Sequence, residues 1–420
     1  MFLAKSKIYY GWIVLLVIFF ALLISQGIKF SFGAFIEPWE KEFGISRGTV
    51  SFIALYGFII FGIGQPIVGK CVDRFGIRIV ISVSMLLVGF SVIMLYFSSQ
   101  LWHIFIWFGL ANFGFSGASK VAAAVAITKW FVKKRGSVIG LIIAGSSVGQ
   151  MLIVPLSLYM ITIWGWQFTF LIYGFILLLI FFPICWLLVR SKPEDIGTVP
   201  YGAEDAALPP SPKTESAAAN QEAEKTVHYF KTVPFWFLAI PYFLCGATTA
   251  GLIDTHLIPY AHDHGLSTPS TGFVVSVLAA FNIVGTIASG YVADKMDNRK
   301  FLGILYAVRF ITMIILLFSG NFMLLIIFAV LFGLVDFATI APTTMLAADY
   351  FKQHSPGTVV GYLSLSHQMG SAAGAYIPGV IYDITGGYGT VIAAAAVLLV
   401  VAASLSFLLP RPPSLVNRTA

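Results

Sequence analysis

The chain predicts an all-α membrane protein with twelve transmembrane helices in two pseudo-symmetric six-helix halves. Three observations predict it. Of 420 residues, 58% are hydrophobic and only 10% charged, with a mean hydropathy of +0.90; soluble domains carry roughly 25% charged residues. Apolar runs of 18 residues or more, long enough to cross ~30 Å of hydrocarbon, recur along the whole length. Finally, the polar stretch Gly69-Lys70-Cys71-Val72-Asp73-Arg74-Phe75-Gly76-Ile77-Arg78 returns 221 residues later as Gly290-Tyr291-Val292-Ala293-Asp294-Lys295-Met296-Asp297-Asn298-Arg299. Glycine matches glycine, acid matches acid and base matches base.

The predicted spans are 9–37, 49–69, 77–98, 101–128, 137–163 and 167–189, then 233–259, 269–290, 300–319, 321–350, 357–380 and 387–409. This divides the chain into an N-terminal half (1–189), a linker (190–232) and a C-terminal half (233–420). The linker is rich in Pro, Ala, Glu and Ser and reads as a flexible cytoplasmic connection without a packed domain. The first apolar run, from Tyr9, is too long for a cleavable signal peptide.

Basic residues set the orientation. Twenty of the 25 Lys and Arg fall at the two ends, in the linker and in the loops after even-numbered spans; only Lys41 and Arg47 lie in loops on the opposite side. The expectation is a multi-pass protein of the cell membrane with both termini cytoplasmic. The net charge of +7 is therefore topogenic, not a nucleic-acid footprint. Cys71, Cys185 and Cys245 are scattered and odd in number, so neither a disulfide framework nor a metal site is expected. There is no nucleophile–base set and no phosphate loop, so the chain is not expected to be an enzyme or to need a cofactor.

The 221-residue offset also pairs Gly44 with Gly265, Gly64 with Gly285, Gly136 with Gly357, Gly140 with Gly361, Gly149 with Gly370 and Gly165 with Gly386. A fixed offset kept in loops and spans alike describes a parallel repeat. Twelve spans, a long central linker and G-x-x-x-D-R-x-G-x-R after span 2, with a degenerate copy after span 8, resemble the major facilitator superfamily. A narrower likeness is carried by Gly11-Trp12, Ser31-Phe32-Gly33, Trp130-Phe131-x-Lys133-Lys134-Arg135-Gly136, Pro193-Glu194-Asp195-Ile196-Gly197 and His256-Leu257-Ile258-Pro259-Tyr260-Ala261. These are similar to the monocarboxylate transporter family, and the bacterial oxalate/formate antiporter group shares several of them.

A charge at mid-bilayer costs roughly 2.5–3.5 kcal/mol. Five such residues stand inside spans: Lys29 (span 1), Lys120 (span 4), Asp254 (span 7), Arg309 (span 9) and Asp336 (span 10). The superfamily resemblance implies that spans 1, 4, 7 and 10 line a central cavity, so four of the five fall on cavity helices, one each. Lys29 is set against lysine snorkelling, but the apolar run continues beyond it, and the monocarboxylate resemblance implies a substrate-site lysine here. Lys120 follows a run of small residues; it is either an added substrate charge or part of an ion pair closing the inner side. Asp254 and Asp336 are read as proton-coupling acids or as partners of the two lysines, with structural pairing as the plain alternative. His367 has an unperturbed pKa near 6.5 that suits proton carriage, though a satisfied buried histidine is equally common. His256 closes span 7 in a turn placed near water, and is a further substrate candidate. Arg309, on an outer helix, is read as a structural pair, with Asp336 as one partner.

The monocarboxylate resemblance implies an acid and an arginine four residues apart in span 8. Those positions are Asn282 and Thr286. Arginine offers a bidentate fork that lysine cannot copy, so Lys29 and Lys120 are the replacement candidates, with Asn282 and Thr286 as hydrogen-bond partners. The repeated loops, Gly69, Asp73, Arg74 and Arg78 with Gly290, Asp294, Lys295 and Arg299, are read as an inner gate, against the simpler reading of topogenic charge. The expected function is secondary transport of small organic anions, mono- or dicarboxylates, by alternating access with proton symport, acting as a monomer. The alternatives are anion exchange of the oxalate/formate type and efflux of amphipathic compounds; span 5 lacks the G-P-x-x-G-G pattern of drug–proton antiporters.

Overall fold

The computed structural model describes residues 9–119, 122–123, 129–132, 135–202, 229–351 and 356–411, and only the backbone of 135–137, 139, 356 and 357. The first six rods are α1 (Tyr10–Phe43), α2 (Arg47–Phe75), α3 (Ile77–Tyr96), α4 (Leu101–Gly117), α5 (135–164) and α6 (166–188). The second six are α7 (Val233–Asp263), α8 (Thr268–Ala293), α9 (Asn298–Leu317), α10 (Phe322–Tyr350), α11 (Pro356–Thr385) and α12 (Gly389–Phe407). Nine helices among the described residues are long and apolar enough to cross a membrane, and one of them, Gly140–Leu188, folds back at Gly165 and so holds two rods.

The repeat is exact in places. α3 and α9 each have 20 residues and begin 221 positions apart. Gly44 and Gly265 both adopt positive φ (60° and 77°), as do Gly165 and Gly386 (80° and 72°). Each pair turns the chain in the same place in both copies, in a conformation that a side chain would strain.

The chain divides into two compact units: Met1–Phe43 with Ile59–Ser211, and Gly44–Phe58 with Pro212–Ala420. In unit 1, α1 packs on α5 and α3 on α6; in unit 2, α7 packs on α11 and α9 on α12. The α1–α5 crossing is closest at Gly149, where a methyl group would overlap the Leu23 carbonyl. The α7–α11 crossing is closest at Gly370, where it would overlap the Phe243 carbonyl. Such small-residue contacts let backbones touch where no hydrophobic effect drives helices together. The first turns of α2, up to Phe58, belong to unit 2: Gly379 of α11 abuts Ser51, and the Phe52 and Tyr376 rings lie 5.6 Å apart.

α1 outruns its predicted end by six residues because the chain past Ser31 stays helical as an amphipathic segment, Phe32–Phe43, with Phe32, Phe35, Ile36 and Trp39 buried. The start of the linker also differs from a free connection. Tyr201 and Phe131 form a parallel bridge, with Tyr201 N–H donating to the Trp130 carbonyl (2.9 Å) and Val132 N–H to that of Tyr201 (3.0 Å). A 3-10 turn at Pro193–Ile196 ends at Gly197 (φ 70°), and the Asp195 carboxylate accepts from the Ser191 and Lys192 amides. The Trp130 indole donates to the Arg190 carbonyl (3.1 Å), and Trp12 packs edge-on against Phe131 (5.1 Å). Gly11 leaves the room that Tyr9 and Trp130 fill. Three of the short family-like motifs therefore meet in one aromatic knot of unit 1. Linker residues 203–228 lie outside the described residues.

Candidate functional site

In unit 1, Lys29 sits part-buried two residues before the Ser31 discontinuity of α1. Its amine lies 3.1 Å from the centroid of the Phe61 ring, a cation–π contact. With Phe32, Phe35, Trp39, Phe108, Phe115 and others it lines a small cavity. The Ser31 break is tied by a buried hydroxyl knot: Ser157 Oγ lies 2.8 Å from Ser31 Oγ and 2.7 Å from the Tyr173 hydroxyl. Lys120, the second substrate candidate, lies outside the described residues.

In unit 2, most of the remaining candidates join one buried network. The α-helical ladder of α10 is interrupted after Val335: Asp336 caps that stretch (φ −61°, ψ −71°) and a 3-10 turn, Phe337–Thr339, follows. Arg309, fully buried on α9, donates from Nη2 to the carbonyls of Val335 (2.7 Å) and Asp336 (2.6 Å), satisfying acceptors that the break exposes. The Asp336 carboxylate, 2% exposed, accepts from Asn282 Nδ2 at 2.9 Å. Thr286 Oγ1 donates to the Asn282 carbonyl (2.7 Å), and Ser289 Oγ to that of Ala338 (2.5 Å). Asn282 thus holds the α10 acid, with Thr286 bonded to Asn282 behind it. Arg309 meets Asp336 through the main chain, a different contact from a carboxylate–guanidinium pair.

Sequence reading missed Cys245. Its Sγ accepts from Arg309 Nη1 at 3.0 Å and lies 3.5 Å from Thr339 Oγ1. The His367 ring stands 4.8 Å from that of Tyr242, with Nδ1 3.5 Å from Ser371 Oγ. Scattered cysteines carry no sequence signal, but Cys245 lies 64 positions before Arg309, and Ile24 and Val88, 221 residues upstream of each, are both apolar. Only the repeat exposes the joint change.

Asp254 is part-buried and is the first residue after a π-helical turn, Ala247–Ile253. Such turns widen a helix locally and are frequent at functional sites. His256 differs from its expected place near water: it is 1% exposed. Nε2 lies 2.8 Å from the Ala375 carbonyl and must donate to it, so Nδ1 accepts from the Tyr388 hydroxyl at 3.0 Å. Both ring nitrogens are engaged in tying α7 to α11 and to Tyr388.

The repeated loops act locally. Asp73, Arg74 and Asp294 are exposed, and neither acid holds a hydrogen bond among the described residues. Arg78 donates from Nε to the Trp186 carbonyl (2.9 Å), binding the start of α3 to α6. Arg299 pairs with Asp297 (2.6 Å) and donates to the Leu409 carbonyl (2.9 Å). Lys295 lies over the Tyr291 ring (4.0 Å). Gly69 and Gly290 have open space where a Cβ would stand.

The more extensive charged clasp is at the other end of α2. Arg47, 7% exposed, pairs with Asp263 (2.8 Å) and stacks on Tyr382 (4.0 Å). The Asp383 carboxylate accepts from the amides of Arg47 (3.1 Å) and Gly48 (2.8 Å), capping α2 from α11.

Two repeated helical units, each with an interrupted first rod, one holding the part-buried Lys29 and the other the buried Arg309 and Asp336, describe a membrane-embedded carrier. The sequence profile of the Major Facilitator Superfamily matches residues 17–311 and 257–420. The chain belongs to that superfamily. It is 25% identical over 396 residues to an uncharacterized MFS-type transporter, YcxA, of Bacillus subtilis, covering 92% of both chains. It is 22% identical over 397 residues to monocarboxylate transporter 12-B of Danio rerio, covering 90% of this chain and 82% of that one. Among solved structures, a bacterial homologue of the human lysosomal transporter Spinster, inward-facing and unoccupied, superposes with a TM-score of 0.77 at 17% identity, covering 96% of this chain and 98% of that one.

Proposed function

We propose that the chain is a secondary transporter of small organic anions, mono- or dicarboxylates, that couples their movement to protons by alternating access. Lys29 carries the anion reading. A primary amine part-buried well inside α1, facing an aromatic wall, is a costly feature whose charge suits a carboxylate. Lys120 is the second cation of this reading. The buried Asp336, held by Asn282, and the half-buried Asp254 and His367 supply proton-exchanging groups. When the substrate carboxylate takes up a lysine, an acid is left to accept a proton, and charge enters as a neutral sum. The repeated loops (Gly69, Asp73, Arg74, Arg78; Gly290, Asp294, Lys295, Arg299) serve as the inner gate, with Arg309 as the structural support of α10. His256 holds the outer part of α7 in place beside the substrate path. The protein works as a monomer in the cell membrane with both termini cytoplasmic.

The test is uptake into proteoliposomes with an imposed pH gradient and a panel of labelled mono- and dicarboxylates. Gradient-driven accumulation of at least one carboxylate, reduced by Lys29→Gln, is the expected result. Accumulation that requires an internal carboxylate and ignores the pH gradient would move the assignment to anion exchange. Export of a hydrophobic dye with no carboxylate uptake would end the anion reading.

A further inference from the structure

α2 is one continuous helix, Arg47–Phe75, whose first turns pack in unit 2 while the remainder, from Ile59, belongs to unit 1. Its start is held more heavily than a helix start needs. The repeat gives each copy a cap of its own: Ser46 Oγ accepts from the Thr49 amide (3.3 Å), and Ser267 Oγ, 221 residues later, from the Ser270 amide (3.4 Å). α2 takes, in addition, a cap from another helix, the Asp383 carboxylate of α11 on the amides of Arg47 and Gly48. Gly48 leaves the room for it, since a Cβ there would stand 2.6 Å from Asp383 Oδ2. At the positions that match Arg47 and Asp383 the repeat has Thr268 and Thr162, so this second cap is no part of the shared fold. The Arg47 side chain closes over the same crossing. Nη1 donates to Asp263 of α7 (2.8 Å) and to the Tyr388 hydroxyl at the entry of α12 (3.4 Å), and the guanidinium lies over the Tyr382 ring of α11 (4.0 Å). Beneath it Ser51 is fully buried against Gly379, and its hydroxyl has no hydrogen-bond partner among the described residues. An unsatisfied buried hydroxyl weakens a permanent helix crossing, whereas a crossing that parts returns the group to water.

We propose that Arg47, Asp263 and Asp383 form a releasable latch on α2, closed in this structure and opened once in each transport cycle. The inference rests on the alternating-access part of the reading above and not on the anion. In the orientation proposed there, the latch lies at the outer end of α2, opposite Asp73 and Arg74. Its bonds are of a kind that water replaces readily: Asp263 is 28% exposed and Asp383 is exposed. α2 keeps the Ser46 cap when they break, so the helix does not unravel. Its first turns leave α7 and α11 and follow the Ile59–Phe75 part of the same rod. Because the Tyr388 hydroxyl that accepts from Arg47 donates in turn to His256 Nδ1 (3.0 Å), release also loosens the far side of that hydrogen bond, inside α7.

Thiol accessibility reads the latch without any substrate. Cys71 is the native cysteine that is not buried, so Cys71→Ser supplies the background. Ser51→Cys then places a thiol beneath the clasp, and its modification by a charged maleimide is followed in lipid nanodiscs, where both faces are reachable, with the background protein as the blank. The expected result is slow modification with the clasp intact and a rise of about 10- to 100-fold in Arg47→Gln or Asp383→Asn, the shift that loss of one charged hydrogen bond implies. Ser82→Cys, fully buried on α3 in unit 1, reports general loosening and stays slow in the same variants. A rate at Ser51→Cys that both variants leave unchanged overturns the proposal, and so does a rise matched at Ser82→Cys. A second measurement locks the crossing: Phe52→Cys/Tyr376→Cys, whose parent rings lie 5.6 Å apart, is joined by a short bifunctional methanethiosulfonate. Linking is expected to stop uptake and reduction to restore it; uptake at the unlinked rate overturns the latch. Should the parent take up no carboxylate, the substrate assignment fails, while the maleimide rates still decide the latch.

Discussion

At positions 221 residues apart, the two units place opposite chemistry on the same backbone. Unit 2 buries Cys245, Asn282, Tyr306, Arg309, Asp336 and Thr339 and half-buries Tyr242; at the same offsets unit 1 holds Ala21, Ile24, Phe61, Met85, Val88, Phe115 and Ala118. All seven of the unit 1 residues are buried. Unit 1 shows that this fold closes with an ordinary apolar core, so the polar set in unit 2 is not needed to make the fold. Buried ionic groups are seldom a net gain in stability over apolar ones of similar size. On the proposed function, the difference makes unit 2 the half in which to look for the proton-exchanging groups. Unit 1 keeps its one deep described cation, Lys29, against Phe61, the counterpart of Asn282.

The largest effect comes from breaking that set in one place. Arg309→Val, the unit 1 residue, leaves the Val335 and Asp336 carbonyls and the Cys245 sulfur without their donor. The expected loss is about 3–5 kcal/mol, the usual result of removing one partner from a buried charged group, read as a lowered thermal unfolding midpoint in detergent. Installing four of the unit 1 residues at once (Cys245→Ile, Asn282→Phe, Arg309→Val, Asp336→Phe) is expected to recover much of that stability while abolishing pH-driven uptake. A single variant as stable as the parent would remove the ionic network from the argument.

Lys29 tests the other side of the comparison. Lys29→Gln keeps the hydrogen-bonding length but removes the charge, and is expected to weaken uptake about 10- to 100-fold, as loss of a charged hydrogen bond of about 1.5–3 kcal/mol implies. The fall should appear mainly in KM, and Lys29→Arg should restore part of it. Equal uptake by both variants would return Lys29 to the role of a snorkelling residue.

Where the units agree, equal substitutions should have equal effects. Gly149→Ala forces a methyl group into the Leu23 carbonyl and Gly370→Ala into that of Phe243. Each is expected to cost about 1–3 kcal/mol by overpacking a helix crossing, with the two thermal shifts matching closely. A marked inequality would mean that the two crossings bear different loads.

The twelve rods and the repeat were legible in sequence because each rests on a direct signal: apolar length, and glycines paired at a fixed offset. Lys29, Asp336 and Arg309 were visible as charges in apolar runs. What they touch was not. Arg309 meets Asp336 through a carbonyl because α10 breaks there, and no residue type announces that break. His256 was expected near water from its place at the end of span 7, yet α1-like continuation carries α7 on to Asp263 and buries it. Arg47 was noted only as a charge outside the membrane; its clasp with Asp263 and Asp383 depends on α2 and α11 meeting, residues far apart in the chain. Cys245 had no signal of its own.

The smallest expected effect lies at the start of the third rod of each unit, where the comparison can be sharpened by pH. α3 begins after Gly76 (φ 81°) and takes its cap from elsewhere: the Arg78 amide donates to Ser191 Oγ of the docked linker segment (3.4 Å). α9 begins after Asp297, which caps its own helix by accepting from the Arg299 amide (3.1 Å) and pairs with that side chain. The Arg299 hydrogen bond holds the Asp297 carboxyl below its ordinary value, overriding the opposing effect of burial. A depressed carboxyl stabilises the fold above its unfolded pKa of ~3.9, and this contribution is lost as pH falls through the folded value. Asp297→Asn should therefore cost less than about 1 kcal/mol at neutral pH, given a pair partly open to solvent, and the difference from the parent should vanish in acid. Ser191→Ala, in unit 1, should produce a loss of similar size that does not depend on pH, because a hydroxyl cap has no proton to gain. Parallel pH curves for the two variants would show that the caps, like the glycine crossings, are equivalent after all.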